Sequence, residues 1–333
     1  MMLYILLPFL LLGLWILLAY LLPVRYARAS RQDLLPSEVP NLYLYSYQLH
    51  LHTQFSYDSL GKPEDIRRAM EEEDVNFVFI TDHENDYIKY FCDERMLAGI
   101  ERKTEEGAVL CIGPVKVIAH PFKEKYRWKG NREGFLLELI DLKDSLLENK
   151  GRLLFYLVPV ILLYPFLKDK ALRLLRKVVK VEEYADRYYQ EGWKNPVVGG
   201  LDHHVKVYVR EVGIRFLFPH YRHSFSLMRN IFISPVELKT AQHLAQMLLK
   251  QEGTNVICFD KKPPIVYREG KKVHLLYPYT NLLVKVRTPR ESRWVSGSNL
   301  VVEERDQFLL GYSFLFRLGN TFWGLCPSFI IKV

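Results

Sequence analysis

A chain of 333 residues with 49% hydrophobic and 14% aromatic side chains can bury one large core, or one large and one small core, and its composition excludes long disordered stretches. The formal net charge of +8 suits an anionic partner, whether a phosphorylated substrate, nucleic acid or acidic lipid, and selects none of them. The four cysteines form no close CxxC pair, which indicates reduced thiols, although the even count leaves disulfides open.

The N-terminal segment from Met1 to Val24 carries no charged side chain and is long enough to cross about 30 Å of hydrocarbon. We predict an uncleaved, single-pass transmembrane anchor over residues 1–28. The first charges follow the span, at Arg25, Arg28 and Arg31, so the positive-inside rule places the soluble domains in the cytoplasm. The alternative is a secretory signal peptide with a small-residue cleavage site near Ala29, which would make the protein an exported one.

After a Pro-containing linker, short apolar strands alternate with helices. LYLYSYQLHLH is predicted as a strand, KPEDIRRAMEEED as a helix and NFVFITDHE as a strand buried on both faces. A second helix around Ile88–Leu97 and the strands AVLCIG and VKVIAHPF follow, and the rhythm returns with the strands VVKVEEY and PVVGGLDHH. Because these strands end in His, Asp or Glu, we predict an α/β barrel with its functional groups at the C-terminal strand ends.

An uncharged run, Leu153–Leu167, interrupts this rhythm and has basic residues on both sides. It is too short to span a bilayer, so it is either a buried core helix or a segment in the membrane interface, and both interpretations stay open. From about Val205, one helix and several short strands indicate a small antiparallel sandwich. We place the domains at 41–206 (barrel, with an apolar insert at about 134–180), 207–265 (connector with helix) and 266–333 (β-sandwich-like).

Five of the ten histidines fall at predicted strand ends beside acids: His50, His52, His83, His120 and His204. Imidazole and carboxylate groups together are the ligand set of zinc, manganese and iron. Side chains alternate along a strand, so His50 and His52 point to one face and can bind the same ion. A single histidine is more often a hydrogen-bonded structural residue, but five at strand ends indicate a metal site.

The order of the motifs LHLHTQFSYDS, ITDHE, AGIE, AHP and GLDHH resembles the signature of the PHP (polymerase and histidinol phosphatase) superfamily, over roughly Tyr43–Lys206. The resemblance implies a distorted seven-stranded, TIM-like β/α barrel that holds two or three divalent metal ions (Mn, Zn or Fe). It also implies metal ligands at eight positions: His50 and His52 on the first metal, Glu101 bridging the first and second, His120 on the second, Asp58 and His83 on the third, Asp202 on the first and His204 on the third.

One further ligand of the second metal has no obvious counterpart, because no His or Cys occurs from Pro121 to Leu201. The segment VEEY resembles a family strand of the form I-E-x-Y, which makes Glu182 the candidate, ahead of Glu183. We assign the catalytic roles to Glu101, Asp202 and His204. In FPHYRHSFSLMRN, His220 and Arg222 are candidate substrate-binding residues, since arginine offers a bidentate fork to phosphate; the alternative is a polar connector.

The resemblance implies a metal-dependent hydrolase, first of all a phosphoesterase acting on an anionic, phosphorylated small molecule, because clustered cations activate water and neutralise phosphate charge. An amide or carbamate hydrolase on the same site is one alternative. A membrane-tethered binding protein with a partly degenerate barrel is another, and the eight matched ligands count against it. Nucleic acid is not expected as a partner, whereas the membrane is, through residues 1–24 and, in the interface interpretation, 153–167.

Overall fold

The computed structural model describes residues 2–22, 24–32, 38–211, 214–277 and 282–333. Met1 and Pro23 of the predicted anchor, positions 33–37 of the linker and positions 278–281 of a predicted strand lie outside the described residues.

Helices and strands alternate through the first two thirds of the chain, and strands dominate the last third. The helices are α1 Met2–Leu21, α2 Pro63–Glu73, α3 Leu142–Leu147, α4 Lys150–Leu167, α5 Asp169–Leu172, α6 Val181–Gln190, α7 Tyr221–Leu227 and α8 Ala241–Lys250. Short 3-10 turns cover Tyr87–Phe91, Glu124–Tyr126 and Arg173–Val178. The strands of the first part are β1 Tyr26–Arg28, β2 Ser30–Arg31, β3 Tyr43–Leu51, β4 Phe77–His83, β5 Met96–Thr104, β6 Gly107–Ile112, β7 Val115–Ala119, β8 Leu136–Asp141 and β9 Val197–Gly200. Those of the second part are β10 Val207–Glu211, β11 Ile214–Phe218, β12 Arg229–Ser234, β13 Thr254–Cys258, β14 Ile265–Glu269, β15 Lys272–Leu276, β16 Leu282–Arg287, β17 Ser292–Gly297, β18 Asn299–Glu303, β19 Phe308–Ser313, β20 Phe316–Leu318, β21 Thr321–Trp323 and β22 Cys326–Lys332.

One large mixed sheet organises the molecule, with the strand order β2-β17-β16-β19-β22-β13-β12-β3-β4-β5-β6-β7-β8-β9. Strands β3, β4 and β5 are parallel, β6 is antiparallel to both its neighbours, and β7, β8 and β9 are parallel again. Every strand from β3 to β9 except β6 therefore runs in the same direction. Their C-terminal ends meet at one edge, which is where the predicted polar residues lie.

Strand β9 returns to β3 without a continuous ladder. The contact consists of the hydrogen bonds from Leu201 N to Leu49 O (3.1 Å), His203 N to His50 O (3.2 Å) and His52 N to His203 O (3.0 Å). The predicted closed barrel is thus corrected to a curled sheet in which the edge strand β9 touches the end of β3, a strand inside the sheet. The physical reason lies in the backbone, because His50 and Asp202 adopt left-handed conformations (φ 64° and 45°) that interrupt regular extended pairing.

The C-terminal part is rich in short antiparallel strands, as predicted. It continues the main sheet through the antiparallel pairing of β12 with β3, and strands β14, β15 and β18 form a second sheet. Buried aliphatic side chains from both sheets share one cluster, including Val273, Leu275, Val284 and Leu309. The region is therefore a β-rich layer attached directly to the strand that carries His50.

Two predicted elements are corrected. The helix expected at Ile88–Leu97 is instead a short 3-10 turn followed by the strand β5. Gly99 lies in this strand close to its neighbour β6, since a Cβ at Gly99 would lie 2.6 Å from the carbonyl oxygen of Cys111. The segment VVKVEEY was expected to be a strand, but α6 begins within it. Val181, Tyr184, Ala185 and Tyr188 are buried at the i, i+3, i+4, i+7 spacing of an amphipathic helix, so packing selects the helical period.

The apolar run near the middle of the chain forms α4. Among the described residues it is the one helix whose length and composition suit a membrane crossing, with a mean hydropathy of 1.5 and 17% of that stretch buried. Helix α1, whose stretch from Leu6 to Leu21 is also apolar, packs beside it. Trp15 Nε1 donates to Phe155 O (3.1 Å), and Lys177 Nζ donates to Ala19 O (3.0 Å). The C-terminal half of α1 is therefore bound to the body of the protein.

A buried carboxylate joins the helical layer to the sheet. Glu73, at the end of α2, is fully buried and lies 2.8 Å from Lys261 Nζ, 3.2 Å from Arg222 Nε and 3.4 Å from Arg229 Nη2. We expect Glu73→Ala to lower the free energy of unfolding by about 3–5 kcal/mol, because it leaves the buried Arg229 guanidinium without its carboxylate. Urea unfolding checks this against Glu71→Ala, an exposed position on the same helix that should change little. Equal losses of unfolding free energy in the two variants would contradict the stabilising role assigned to Glu73.

Candidate metal centre

All eight residues that match the family's ligands come together at the C-terminal strand edge. Strand β3 supplies His50 and the following loop His52 and Asp58; β4 and β5 supply His83 and Glu101; the residues after β7 and β9 supply His120, Asp202 and His204. Six of the eight are buried, and Asp58 and His83 are partly exposed. The cluster therefore has one side open to solvent.

Glu101 lies at the centre of the cluster. Its Oε2 atom is 3.3 Å from His50 Nε2, 3.2 Å from His52 Nε2 and 3.2 Å from His83 Nδ1. Its Oε1 atom faces a different imidazole, with His120 Nε2 at 3.5 Å. Atoms that bind one ion through bonds of about 2.0–2.2 Å lie roughly 3.0–3.6 Å apart. The two oxygens of Glu101 are thus placed to serve two neighbouring ions.

Asp202 and Asp58 extend the cluster toward solvent. Asp202 Oδ1 is 3.4 Å from His52 Nε2 and 3.2 Å from His204 Nδ1, and Asp58 Oδ2 is 3.1 Å from His204 Nε2. His52, His83 and His204 form one of the groups whose nitrogens could share an ion. The side chain of Lys143 is 35% exposed, and its Nζ atom lies 2.7 Å from Asp202 Oδ2. A cation of the protein itself therefore stands at the open side of the cluster.

Carboxylates from β8 and α3 orient two of the histidines. Glu138 Oε1 contacts His50 Nδ1 at 2.7 Å, while its Oε2 accepts from the backbone N–H of His120 (2.9 Å). Asp144 Oδ2 contacts His120 Nδ1 at 2.8 Å. These contacts direct the Nε2 atoms of both histidines toward Glu101, as carboxylates behind ligating histidines do in metal sites. Asp141 completes a group of possible ligands with His50, His120 and Glu138.

A hydroxyl network orients the imidazole of His52. Ser56 Oγ contacts His52 Nδ1 at 3.1 Å and accepts from His83 N at 3.0 Å. Asp82 in turn accepts from Ser56 Oγ (2.8 Å) and from Thr53 N (2.6 Å). Asp82 thus orders the loop after β3 from behind the cluster.

The buried polar atoms of the cluster fit a cation. Within the described part of the chain, His50 Nε2, His52 Nε2, His204 Nε2, Glu101 Oε2 and Asp141 Oδ2 are buried without a hydrogen-bond partner. These atoms belong to neighbouring groups that could each hold an ion. Leaving so many buried polar atoms unpaired is costly, and coordination of an ion would satisfy them together.

The electrostatics of the cluster support the same fit. Burial disfavours the charged form of Glu101, but the neighbouring imidazoles of His50 and His120 outweigh it and hold the pKa of this carboxyl well below its usual range. Burial also opposes the charged form of His50, but Glu138 and Glu101 raise the pKa of that imidazole well above its ordinary value. Positive charge therefore stabilises the buried carboxylates. Protons on the histidines supply this charge, and bound divalent ions can replace those protons.

Three residues of the cluster adopt left-handed backbone conformations: His50, His120 and Asp202, with φ of 64°, 47° and 45°. Such conformations cost about 1–3 kcal/mol each in a non-glycine residue and concentrate at functional sites. Gly200 also matters, because a Cβ there would lie 1.6 Å from Glu138 Oε1. The backbone is thus shaped around this carboxylate and around the direction of the ligands.

The expectation for Glu182 is corrected. It lies on α6, where its carboxylate binds Lys285 Nζ (2.6 Å) and Tyr312 Oη (2.7 Å), and it belongs to none of the groups that could hold an ion. The carboxylates that lie beside His120, where the sequence left one ligand of the second metal unassigned, come instead from β8 and the start of α3. They are Glu138, Asp141 and Asp144. The sequence contained a signal, since LLELIDLKD places a carboxylate inside an otherwise apolar strand, but that strand fell within the segment taken as the apolar insert.

The predicted substrate-binding residues have structural partners. Arg222 lies 3.2 Å from Glu73 and 3.3 Å from Asp169. The ring of His220 accepts from the backbone N–H of Arg222 (3.1 Å) and so caps α7. Arg222 joins α7 to the helical layer, and neither residue belongs to the groups of possible metal ligands found among the described residues. Their contact with substrate stays a prediction.

The arrangement defines a mixed α/β protein whose buried His/Asp/Glu cluster supports metal-dependent hydrolysis as a general class of activity. No protein-family model and no curated protein matches the chain. Among solved structures, the chain is similar to a two-domain protein from Bacteroides vulgatus that contains a predicted PHP-like metal-dependent phosphoesterase. The identity is 10%, the alignment covers 86% of this chain and 94% of the other, and the TM-score is 0.37.

Glu138 and Glu182 provide a direct comparison between the two assignments. We expect Glu138→Ala to weaken Mn²⁺ or Zn²⁺ binding by about 10–100-fold, because His50 loses the carboxylate that orients it. Glu182→Ala should bind metal like the unmodified protein. Isothermal titration of the metal-free protein measures both affinities. Weaker binding by Glu182→Ala than by Glu138→Ala would restore the original expectation and refute this one.

Proposed function

We propose that this protein is a metal-dependent phosphoesterase of the PHP type that binds two or three divalent ions. The observation that carries the proposal is the bridging position of Glu101, whose two oxygens face different sets of histidines. Bound ions of this kind supply Lewis acidity, lower the pKa of a shared water and neutralise phosphate charge. Manganese, zinc and iron all suit the donor set.

The residues divide naturally among three positions. His50, His52, Asp202 and one oxygen of Glu101 would hold the first ion. His120 and the other oxygen of Glu101 would hold the second, with Asp141 as a further carboxylate, since Asp141 forms a group of possible ligands with His120 and Asp202. The third would be held by His83, His204 and Asp58.

Lysines around the open side suit a phosphorylated substrate. Lys143 reaches Asp202 Oδ2 (2.7 Å) and approaches His204 Nδ1 (3.4 Å), so its amine faces the position that a phosphate would occupy beside the ions. Lys206 donates to the backbone oxygen of Asp58 (2.6 Å) on the same side. Both ammonium groups can donate charge-assisted hydrogen bonds to phosphate oxygens. Lys143 is the stronger candidate because its contact with Asp202 fixes its direction.

We also propose that the protein is attached to a membrane, with α1 as the anchor and the soluble part in the cytoplasm. Large apolar side chains are exposed on both helices: α1 exposes several leucines, and Phe166 on α4 is 82% exposed. Basic residues follow both helices, at Arg25, Arg28, Lys168 and Lys170. An apolar surface bordered by such charges suits contact with acidic lipid.

Removal of the metal and removal of the bridging carboxylate should have the same effect. We expect chelation to abolish hydrolysis of p-nitrophenyl phosphate and Mn²⁺ to restore it. Glu101→Gln should lower kcat/KM by at least 100-fold and reduce the number of bound ions, since it deletes a charge shared by two of them. Glu105→Gln, at the exposed turn between β5 and β6, is the matched control and should keep full activity. Chelator-resistant hydrolysis, or an active Glu101→Gln that keeps its metal, would refute the proposal.

The orientation in the membrane can be tested separately. A reporter that is active only in the cytoplasm should give signal when fused after Val333, because the positive charges follow the anchor. A reporter that works only outside the cytoplasm should be silent in the same fusion. The reverse pattern would support cleavage and export instead.

A further inference from the structure

We infer that the substrate is an amphiphile, a phosphoester with a long apolar chain that the protein draws from a lipid bilayer. The headgroup would bind at the cluster around Glu101, and the chain would occupy a cavity behind α4. This inference rests on the proposed phosphoesterase function and names its substrate class.

The cavity is large and opens directly onto the cluster. Its volume is about 670 Å³, within the range of roughly 300–1,000 Å³ that is typical of small-molecule sites. Asp202 and His204 line one end of it, together with Lys143 and Lys206. A phosphate held by these lysines therefore has the cavity as a continuous extension of its own binding site.

The rest of the wall is built mainly from aliphatic side chains. Leu146 of α3, Leu153, Leu157 and Val160 of α4, and Leu172 and Leu175 after it all line the cavity. Two pairs of polar side chains in the wall are hydrogen-bonded to each other: Tyr164 Oη with His223 Nε2 (2.8 Å) and His203 Nδ1 with Ser224 Oγ (2.7 Å). His203 Nε2 is a buried ring nitrogen of this wall that has no hydrogen-bond partner among the described residues.

The apolar lining of the cavity discriminates between classes of phosphoester. His203 Nε2 could pair with one hydroxyl group of a sugar phosphate or nucleotide. The other hydroxyl groups would be buried against leucines without partners, which is costly. An alkyl chain has no polar group to satisfy, and each methylene gains from leaving water. The lining therefore favours a lipid-like chain over a water-soluble group of the same volume.

Helix α4 connects the cavity to the membrane surface. Ile161 lines the cavity and is 61% exposed, so it stands at an opening on the outer side of α4. Beside this opening, Leu162 and Phe166 are exposed on the same helix. A chain that already lies in the bilayer can enter here without crossing water. One helix thus serves as the cavity wall and as the surface that contacts lipid.

The test uses the full-length, Mn²⁺-loaded protein in phosphatidylcholine nanodiscs, because detergent would compete for the cavity. The substrates are n-alkyl phosphates from butyl to hexadecyl, and the measurement is phosphate release. We expect kcat/KM to increase by up to about fourfold per added methylene until the cavity is filled. A flat dependence on chain length with active hydrolysis of butyl phosphate would overturn the inference and leave the phosphoesterase proposal intact.

A pair of variants on α4 separates the cavity from the membrane surface. Leu157→Trp fills the cavity, so the ratio of kcat/KM for hexadecyl to butyl phosphate should fall at least tenfold. Leu154→Trp adds the same side chain at a position that is 59% exposed and outside the cavity lining, so it should leave the ratio unchanged. Equal effects of the two variants would mean that general membrane contact sets the preference, and would overturn the inference.

A binding measurement decides the case in which no alkyl phosphate is hydrolysed, which would count against the phosphoesterase proposal itself. A hexadecylphosphonate with a photoreactive group at mid-chain should label Leu175, which lines the cavity and is 7% exposed, and Leu157→Trp should suppress that labelling. Labelling confined to the exposed side chains of α1 and α4 would overturn the inference.

Discussion

The structure depends on the burial of one carboxylate among imidazoles. Glu101 is almost completely removed from solvent, and an isolated buried charge would be strongly destabilising. Its oxygens instead face His50, His52, His83 and His120 at 3.2–3.5 Å. The curled sheet, the left-handed turns and the carboxylates behind the histidines all maintain this concentration of ligands. Divalent ions would stabilise it further, because they satisfy the unpaired buried atoms together.

Much of this could be predicted from the sequence because the signal was local. The strands that carry His50 and His83 read as strands, and both motifs lie where parallel strands end. The eight positions that the motif order predicts as ligands also meet in the structure. The incomplete closure of the barrel could not be predicted in this way, since it depends on φ at His50 and Asp202, where no glycine marks the left-handed turn.

The carboxylates behind the histidines were missed because burial is not visible in a single sequence. Glu138 stands out as a carboxylate in a short apolar strand, but its strand neighbours β7 and β9 are not adjacent to it in the chain, and the strand fell within the segment taken as an insert. Glu182 seemed the better candidate because VEEY resembled a strand motif. The helical spacing of Val181, Tyr184 and Tyr188 selects α6 instead and directs Glu182 toward Lys285.

Helix α4 separates the apolar cavity from the exterior of the protein. It lies between the apolar cavity and an exposed apolar surface, so in the proposed mode of binding one element would both contact lipid and lead to the cluster. The central claim is that Glu101 bridges two ions. Anomalous X-ray diffraction from Mn²⁺-loaded crystals, recorded at the manganese absorption edge, tests it most directly. The account predicts a peak on each side of the Glu101 carboxylate, one near His52 and one near His120. Anomalous density that is absent from this cluster would contradict it.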